Sequence, residues 1–308
     1  MEGKPFLEHK FKHVISNNAK KFNFTLKKDL NVVHDHWVTC IVCTPDNSFL
    51  FTVSNDCMMK QWSIDTLELI RNYGIIHDGY VYQIKITPCG NYAMTVSHDF
   101  KLKMFNIVHG ELEHNFGVVH NDLIDALAIS PKLGKYAFTG SNDKRVIQWS
   151  LKAKRIEYNW GVVHEKSVTS VCVTTDDKYL LTGSSGSLKM WSILKRELVQ
   201  AIDDAHDGYI YNIVVSLCST QVFTVSQDGH LKQWDINDNI SLNADYGKIH
   251  SDYIRALAIS PCGTYVFTAG IDGKMKQFDV KSKMLFKDYG KISQKAVYWI
   301  EFSKDGRF

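Results

Sequence analysis

Six histidines recur at nearly constant spacing in this sequence, and five of them are followed by an aspartate at a fixed distance. Successive histidines lie 43, 43, 44, 42 and 44 residues apart, and each aspartate comes 22 or 23 residues after its histidine. Four of these aspartates have a serine two positions earlier, so these units hold the residue types of a nucleophile, a base and an orienting acid. The histidines are His34, His77, His120, His164, His206 and His250. The aspartates are Asp56, Asp99, Asp143, Asp228 and Asp272.

The repetition itself argues against catalysis. An active site needs one such set of residues, whereas this chain repeats the set in several units. A fixed period over most of a chain indicates structural units that stack on one another to bury a core. We therefore interpret the histidines as a repeated structural network and predict no catalytic residue. Catalysis by a serine, histidine and aspartate is the less favoured alternative.

Each period reads as four short β-strands. In the third unit the run from Ile124 to Ile129 is followed by Pro131 and Gly134, which are typical turn residues. Three further short strand-like runs follow before the next histidine. Four short strands per period predict an all-β fold. A four-stranded sheet cannot bury both faces alone, and radial stacking of such sheets into a propeller buries them.

These residues resemble the WD-repeat β-propeller family over residues 30–303. The family pattern is a histidine that opens the unit, a serine or threonine and an aspartate near the second turn, and Trp-Asp ending the third strand. Only Trp234-Asp235 is the literal dipeptide, and Phe105 and Phe278 replace tryptophan in two units. The resemblance implies that each histidine bonds the aspartate and the hydroxyl, and that the hydroxyl bonds the indole. The predicted structural network comprises His34, Ser54, Asp56, Trp62, His77, Ser97, Asp99, His120, Ser141, Asp143, Trp149, His206, Ser226, Asp228, Trp234, His250 and Asp272.

Two units depart from this pattern. The fourth unit is one residue short at Gly183-Ser184-Ser185-Gly186 and lacks the aspartate. The sixth unit has Gly270 where a serine is expected. We expect incomplete polar networks in these two blades.

The repeats begin near residues 34, 77, 120, 164, 206, 250 and 293, which predicts a seven-bladed propeller of four-stranded antiparallel blades. The seventh unit has Ser293 in place of the histidine, and Val297 to Phe302 repeat the first strand. Phe22 to Lys27 are in phase with a fourth strand, so we expect both ends of the sequence to share the last blade, which is incomplete at Phe308. We assign residues 21–308 to the propeller. Residues 1–20 are a basic leader, and they include a candidate strand of the last blade.

Composition limits the possible functions. The net charge is +3, and residues 1–30 carry seven lysines against three acids, so the remainder of the chain is nearly neutral. A neutral repeat body disfavours nucleic-acid binding. No run of 18 apolar residues and no secretion signal is evident, so we expect a cytoplasmic protein without a membrane span. Cys40 and Cys43 are three residues apart on a strand and face opposite ways, so we predict no metal site and no cofactor.

The phase of each blade also predicts a binding surface. In the family's pattern, the residues three and five positions after each histidine, and the residue before each aspartate, surround the mouth of the central channel. Tryptophan, tyrosine and arginine are frequent at these positions, and they are the types enriched at binding hot spots. The alternative is that tyrosine is simply a good strand residue. The predicted partner-binding residues are Trp37, Tyr80, Tyr82, His98, Leu123, Asp125, Tyr209, Tyr211, Tyr253, Arg255 and Tyr298.

We therefore predict a non-catalytic scaffold or adaptor that binds a peptide or loop of another protein at this mouth, as one subunit of a larger complex. Tyr80, Tyr82, Tyr209, Tyr211 and Asp125 are expected to hold a lysine or arginine of that partner through cation–π contact and charge pairing. The alternatives are a chromatin or nucleic-acid reader, which would require a more basic rim, and a propeller enzyme, which would require converging catalytic groups.

Overall fold

A computed structural model describes residues 14–16, 25–28 and 33–306 of the chain. The described residues form six four-stranded antiparallel sheets and one two-stranded sheet. The two-stranded sheet pairs β1 (Val14–Ser16) with β2 (Thr25–Lys28). No helix of the described chain is long and apolar enough to cross a membrane.

The six larger sheets are the blades, and the strands of each blade follow one another in chain order. Blade 1 contains β3 (Val38–Cys43), β4 (Phe49–Ser54), β5 (Met58–Ser63) and β6 (Leu69–Ile75). Blade 2 contains β7 (Val81–Ile86), β8 (Tyr92–Ser97), β9 (Lys101–Asn106) and β10 (Glu111–Val118). Blade 3 contains β11 (Ile124–Ile129), β12 (Tyr136–Ser141), β13 (Arg145–Ser150) and β14 (Arg155–Val162).

Blades 4 to 6 have the same organisation. Blade 4 contains β15 (Ser170–Val173), β16 (Tyr179–Gly183), β17 (Leu188–Ser192) and β18 (Glu197–Ile202). Blade 5 contains β19 (Ile210–Val215), β20 (Gln221–Ser226), β21 (His230–Ile236) and β22 (Ile240–Lys248). Blade 6 contains β23 (Ile254–Ile259), β24 (Tyr265–Gly270), β25 (Lys274–Asp279) and β26 (Leu285–Lys291).

The hydrophobic core lies between neighbouring blades. The second strand of each blade is buried along almost its whole length, whereas the fourth strand is largely exposed. Phe51 on β4 is fully buried and belongs to one cluster with Val81, Ile84 and Phe105 of blade 2. First strands of successive blades contact one another and therefore surround the axis. Each blade thus depends on its neighbours for burial, as expected for stacked repeats.

An aromatic–glycine pair in the fourth strand adds an inter-blade contact. In blade 1 the Asn72 side chain accepts a hydrogen bond of 2.9 Å from the Gly74 N–H, and Gly74 has a φ of 69°. This backbone conformation favours glycine. The intervening Tyr73 donates to the Gln61 side chain at 3.2 Å, and its ring centroid lies 6.2 Å from that of Phe105 in blade 2. The glycines at this position in other blades are Gly117, Gly161, Gly247 and Gly290.

The prediction of seven blades is wrong, because the described residues form six. The segment 297–302, predicted as the first strand of a seventh blade, forms no ladder with any described strand. A β-strand is stabilised by hydrogen bonds to a neighbour, and a favourable local sequence does not provide that neighbour. The predicted leader lies outside the described residues apart from β1, as does the predicted strand over residues 22–27 apart from the first part of β2.

The segment 297–302 nevertheless packs between blades 6 and 1. Val297 and Ile300 contact a buried cluster of blade 6, and Trp299 contacts the cluster shared by blades 1 and 2. The turn after it keeps the geometry of the other first turns, since the Gly306 N–H donates to the Ser303 carbonyl at 2.9 Å. Six blades and this segment therefore surround the axis in the described chain.

Candidate functional site

The repeated histidines lie in buried hydrogen-bonded chains, which are complete in blade 3. His120 Nδ1 lies 2.9 Å from an Asp143 carboxylate oxygen, and His120 Nε2 lies 2.8 Å from the Thr139 hydroxyl oxygen. The Trp149 indole donates to the same hydroxyl oxygen at 3.0 Å. The ionised carboxylate can only accept a hydrogen bond, so Nδ1–H is the donor to it and the threonine hydroxyl donates to Nε2. With this assignment the imidazole nitrogens, the hydroxyl and the indole N–H each have a hydrogen-bond partner.

The hydroxyl that bonds the histidine belongs to a threonine, whereas the sequence predicted a serine. The threonine lies two residues before the serine position and bonds the histidine in all six blades. These threonines, which sequence reasoning missed, are Thr52, Thr95, Thr139, Thr182, Thr224 and Thr268. Their constant phase was a usable signal, but threonine is also an ordinary strand residue. The serine oxygens of Ser54, Ser97, Ser141 and Ser226 instead accept the backbone N–H of the aspartate two residues on.

The aspartates tie the turn to the histidine. In blade 2 one Asp99 oxygen lies 2.9 Å from His77 Nδ1, and the other accepts the Lys101 N–H at 3.0 Å. Burial raises the pKa of the Asp99 carboxyl, but the hydrogen bonds from His77 and the backbone outweigh burial and lower that pKa to about 2. The carboxylate is therefore ionised throughout the neutral range.

The networks differ between blades as the sequence differs. The side chains of Phe105 and Phe278 carry no N–H, so the hydrogen-bonded networks of blades 2 and 6 end at the threonine. In blade 4, which has no aspartate at this turn, His164 Nδ1 is buried and has no hydrogen-bond partner within the described chain. Burial lowers the pKa of His164 to about 4. Blade 6 lacks the serine as well as the tryptophan, but His250 keeps both its aspartate and its threonine.

The network histidines are 1–4% exposed. This burial leaves no room for a substrate beside the imidazoles, so the geometry suits a structural role of these histidines rather than a catalytic one. Within the part of the chain that the structure describes, no group of three histidine, cysteine, aspartate or glutamate side chains could hold a metal ion.

Replacing Thr139 with valine removes one hydroxyl that serves two partners. The Thr139→Val variant leaves His120 Nε2 and the Trp149 indole unsatisfied, so we expect its free energy of unfolding to fall by about 2–4 kcal/mol. In Thr95→Val only His77 loses a partner, because blade 2 has Phe105 instead of tryptophan. We expect the free energy of unfolding of this variant to fall by about 1–2 kcal/mol. Urea denaturation measures both variants, and equal losses would contradict the shared-hydroxyl geometry.

The buried histidines also predict the direction of pH dependence. Burial lowers the pKa of His77, His164 and His250, so below about pH 6.5 the unfolded chain binds more protons than the folded chain. The resulting stability is present above that pH and is lost as pH falls. Between pH 7.5 and 5.5 we expect about 1 kcal/mol of loss from His164 alone. Urea unfolding at both pH values measures it, and His164→Gln should show a smaller difference; stability that rises on acidification would exclude this account.

Nine of the eleven predicted binding residues lie at or directly before the start of a first strand, and a β-bulge directs some of them to the channel. His98 lies in the turn after β8, and Tyr298 lies in the segment 297–302. In blade 2 the pairing steps from Val81↔Ser97 to Gln83↔Val96, so Tyr82 is the extra residue. A bulge re-aims the side chain of the extra residue. The extra residues in the other bulged blades are Thr39, Asp125, Tyr211 and Arg255.

We call the eleven predicted residues the channel-mouth surface: Trp37, Tyr80, Tyr82, His98, Leu123, Asp125, Tyr209, Tyr211, Tyr253, Arg255 and Tyr298. Trp37, Tyr80 and Tyr253 are 43%, 46% and 39% exposed. Leu123 is half-buried at the start of blade 3.

Rings of blades 1 and 2 and of the segment after blade 6 form one aromatic arc. Ring centroids along this arc are 5.3–5.9 Å apart. The members, in order, are Tyr298, Trp37, His36, Tyr80, His98 and Tyr82. Sequence reasoning missed His36, because the residue at this position differs from unit to unit and gives no repeat signal.

A second arc joins blades 5 and 6, and Arg255 connects the two arcs. Tyr211 lies 6.4 Å from Tyr209 and 6.1 Å from Tyr253 between ring centroids. The Arg255 guanidinium lies 3.7 Å from the Tyr211 ring centroid, and its Nη1 donates to the Tyr82 hydroxyl at 2.7 Å. Arg255 therefore crosses from blade 6 to blade 2.

This arrangement changes the predicted cation site. Two of the four tyrosines expected to hold a lysine or arginine of a partner, Tyr82 and Tyr211, already contact a cation of the same chain, Arg255. Asp125, also assigned to that site, has its oxygen 3.6 Å from His98 Nε2. The structure thus brings the predicted residues together but fills their cation position internally.

Fold and network together define a β-propeller of the WD-repeat type. Residues 27–63, 161–192, 197–235 and 247–279 match the WD40 family, described as WD domain, G-beta repeat. The chain therefore contains WD40 repeats at four positions.

Curated relatives are similar over short segments. DDB1- and CUL4-associated factor 13 of Xenopus tropicalis is 38% identical over 69 residues, which are 21% of this chain and 15% of that protein. Its Homo sapiens counterpart is 32% identical over 59 residues, 19% of this chain and 13% of the relative. A WD repeat domain-containing protein 83 homolog of Dictyostelium discoideum is 32% identical over 63 residues, 20% of this chain and 19% of the relative. The matched part thus spans less than a fifth of each relative.

Proposed function

We propose that this protein is a non-enzymatic interaction scaffold that binds a loop or peptide of a partner protein on the channel-mouth surface. The observation that carries the proposal is the aromatic composition of this surface, where Trp37, Tyr80 and Tyr253 remain 39–46% exposed. Large rigid rings with a polar atom contribute much of the energy at protein interfaces. The contacts of Arg255 with Tyr82 and Tyr211 join blades 2, 5 and 6 at this surface.

The relatives support a protein-interaction role in general terms. Their name, DDB1- and CUL4-associated factor 13, describes association with two other proteins. The similarity covers 15% of that protein, so the identity of this chain's partner is a question for experiment. Purified DDB1 is one candidate that can be tested directly.

Catalysis and nucleic-acid binding have weaker support. The repeated histidines are enclosed in structural networks, and the only acid of the channel-mouth surface, Asp125, faces His98 without a second carboxylate. Arg255 is the only permanent cation of that surface, and a nucleic-acid site would need a basic face.

A triple substitution tests the binding surface. The variant Trp37→Ser, Tyr80→Ser, Tyr253→Ser should lose at least about tenfold in partner recovery, because hot-spot rings contribute more than about 1.4 kcal/mol each to binding. Recovery is measured by affinity purification from cell extract with quantitative mass spectrometry.

The matched control carries Leu112→Ser, Leu242→Ser and Phe286→Ser on outer strands, where these side chains are 49%, 52% and 52% exposed. The control should recover the same partners as the wild type. Both variants should have the same unfolding temperature as the wild type. Equal recovery with the channel-mouth variant and the wild type would overturn the proposal.

A further inference from the structure

Two buried nitrogen atoms at the channel mouth lack a hydrogen-bond partner. Eight buried side-chain atoms of the described chain have none, and Arg255 Nε and His98 Nε2 are two of them. Both residues contact Tyr82: its hydroxyl accepts from Arg255 at 2.7 Å, and its ring is stacked on the His98 ring at 5.4 Å between centroids. The unsatisfied atoms therefore belong to one cluster.

The cluster contains a cation without a paired acid. Arg255 has a tyrosine ring against one face and a hydroxyl at Nη1, and among the described residues no ion pair includes it. Removing a charge or an N–H from water without an acceptor is unfavourable. An acceptor supplied by a binding partner would relieve this cost.

The guanidinium is also held in position before a ligand arrives. The contact with the Tyr211 ring and the hydrogen bond to the Tyr82 hydroxyl both restrict its movement. A group already held in its bound orientation loses less conformational freedom on binding. A planar guanidinium with several N–H donors matches the two oxygens of a carboxylate.

The charges around the cluster limit the ligand further. The Asp125 side chain is only 15% exposed and lies 3.6 Å from His98 Nε2. Exposed aspartates stand outside the cluster, in the loops that lead into the first strands: Asp35, Asp122, Asp207 and Asp252, whereas Asp78 in the blade 2 loop is paired with Lys101 at 2.6 Å. A run of acidic residues would be repelled by this ring of carboxylates. A single carboxylate could accept hydrogen bonds from the unpaired nitrogens of Arg255 and His98. If the rest of the bound segment is neutral or basic, the surrounding aspartates would not repel it.

We propose that the channel mouth binds one carboxylate, from an aspartate or glutamate of a partner loop, with Arg255 Nε as the main donor and His98 Nε2 as the second. This assignment rests on the proposed function, because it specifies what the partner presents to the channel-mouth surface. It reverses the charge expected from the sequence, since the cation is supplied by this chain.

A titration with small probes tests the carboxylate site directly. The probe is N-acetyl-aspartate N-methylamide, and its matched control is the asparagine analogue, which differs only in the carboxylate. In protein labelled with 15N-arginine, the Arg255 Nε–H resonance is assigned by its absence from the Arg255→Lys variant. We expect it to shift and to saturate with the aspartate probe, with at least a tenfold weaker response to the asparagine probe. Equal responses to both probes, or no response to either, would overturn the proposal.

The partner assay separates this inference from the proposed function. Arg255→Gln should lower partner recovery at least tenfold, and Arg255→Lys, which keeps the charge without the planar donors, should not restore it. If the triple aromatic variant loses the partner while Arg255→Gln keeps it, the carboxylate site is wrong and the scaffold proposal stands. If the triple variant keeps the partner, the scaffold proposal fails and the probe titration alone decides the carboxylate site. Unfolding temperatures show whether each variant is folded.

Discussion

One threonine hydroxyl in each blade is the interaction on which the rest of the structure depends. It bonds the histidine in all six blades and accepts the indole N–H in the four that have tryptophan. These groups lie in an apolar interior, where each unsatisfied one would cost about 1–3 kcal/mol. The hydrogen-bonded network therefore fixes the position of the loop that carries the histidine against the strands of its blade.

Fixing that loop also fixes the start of the first strand in the same blade. In five blades the first strand begins four residues after the histidine, and the next residue is the extra residue of a bulge. The bulge directs Tyr82, Tyr211 and Arg255 toward the axis, where they contact across the ring. A buried network thus sets the geometry of the surface that we assign to partner binding.

Periodic features were predictable from the sequence, whereas features that depend on distant residues were not. The phase of the histidines located four strands in each blade and the residues of the channel-mouth surface, because phase is a local property of the chain. The seventh blade was wrong, since residues 297–302 have the pattern of a strand but no described strand beside them. Arg255 reaches a residue 173 positions away, and no local pattern reports that contact. The role of Thr139 was hidden because threonine is common in strands for other reasons.

The most direct test of this account is the protonation state of the network histidines, observed in a long-range 1H–15N NMR spectrum at pH 7. In blades 2 and 6 the aspartate faces Nδ1 of the histidine and the threonine hydroxyl faces Nε2, and burial lowers the pKa of both histidines. The account predicts that His77 and His250 are neutral at pH 7, with the proton on Nδ1 toward the aspartate and the threonine hydroxyl donating to Nε2. Imidazolium signals, or neutral rings protonated on Nε2, would contradict it.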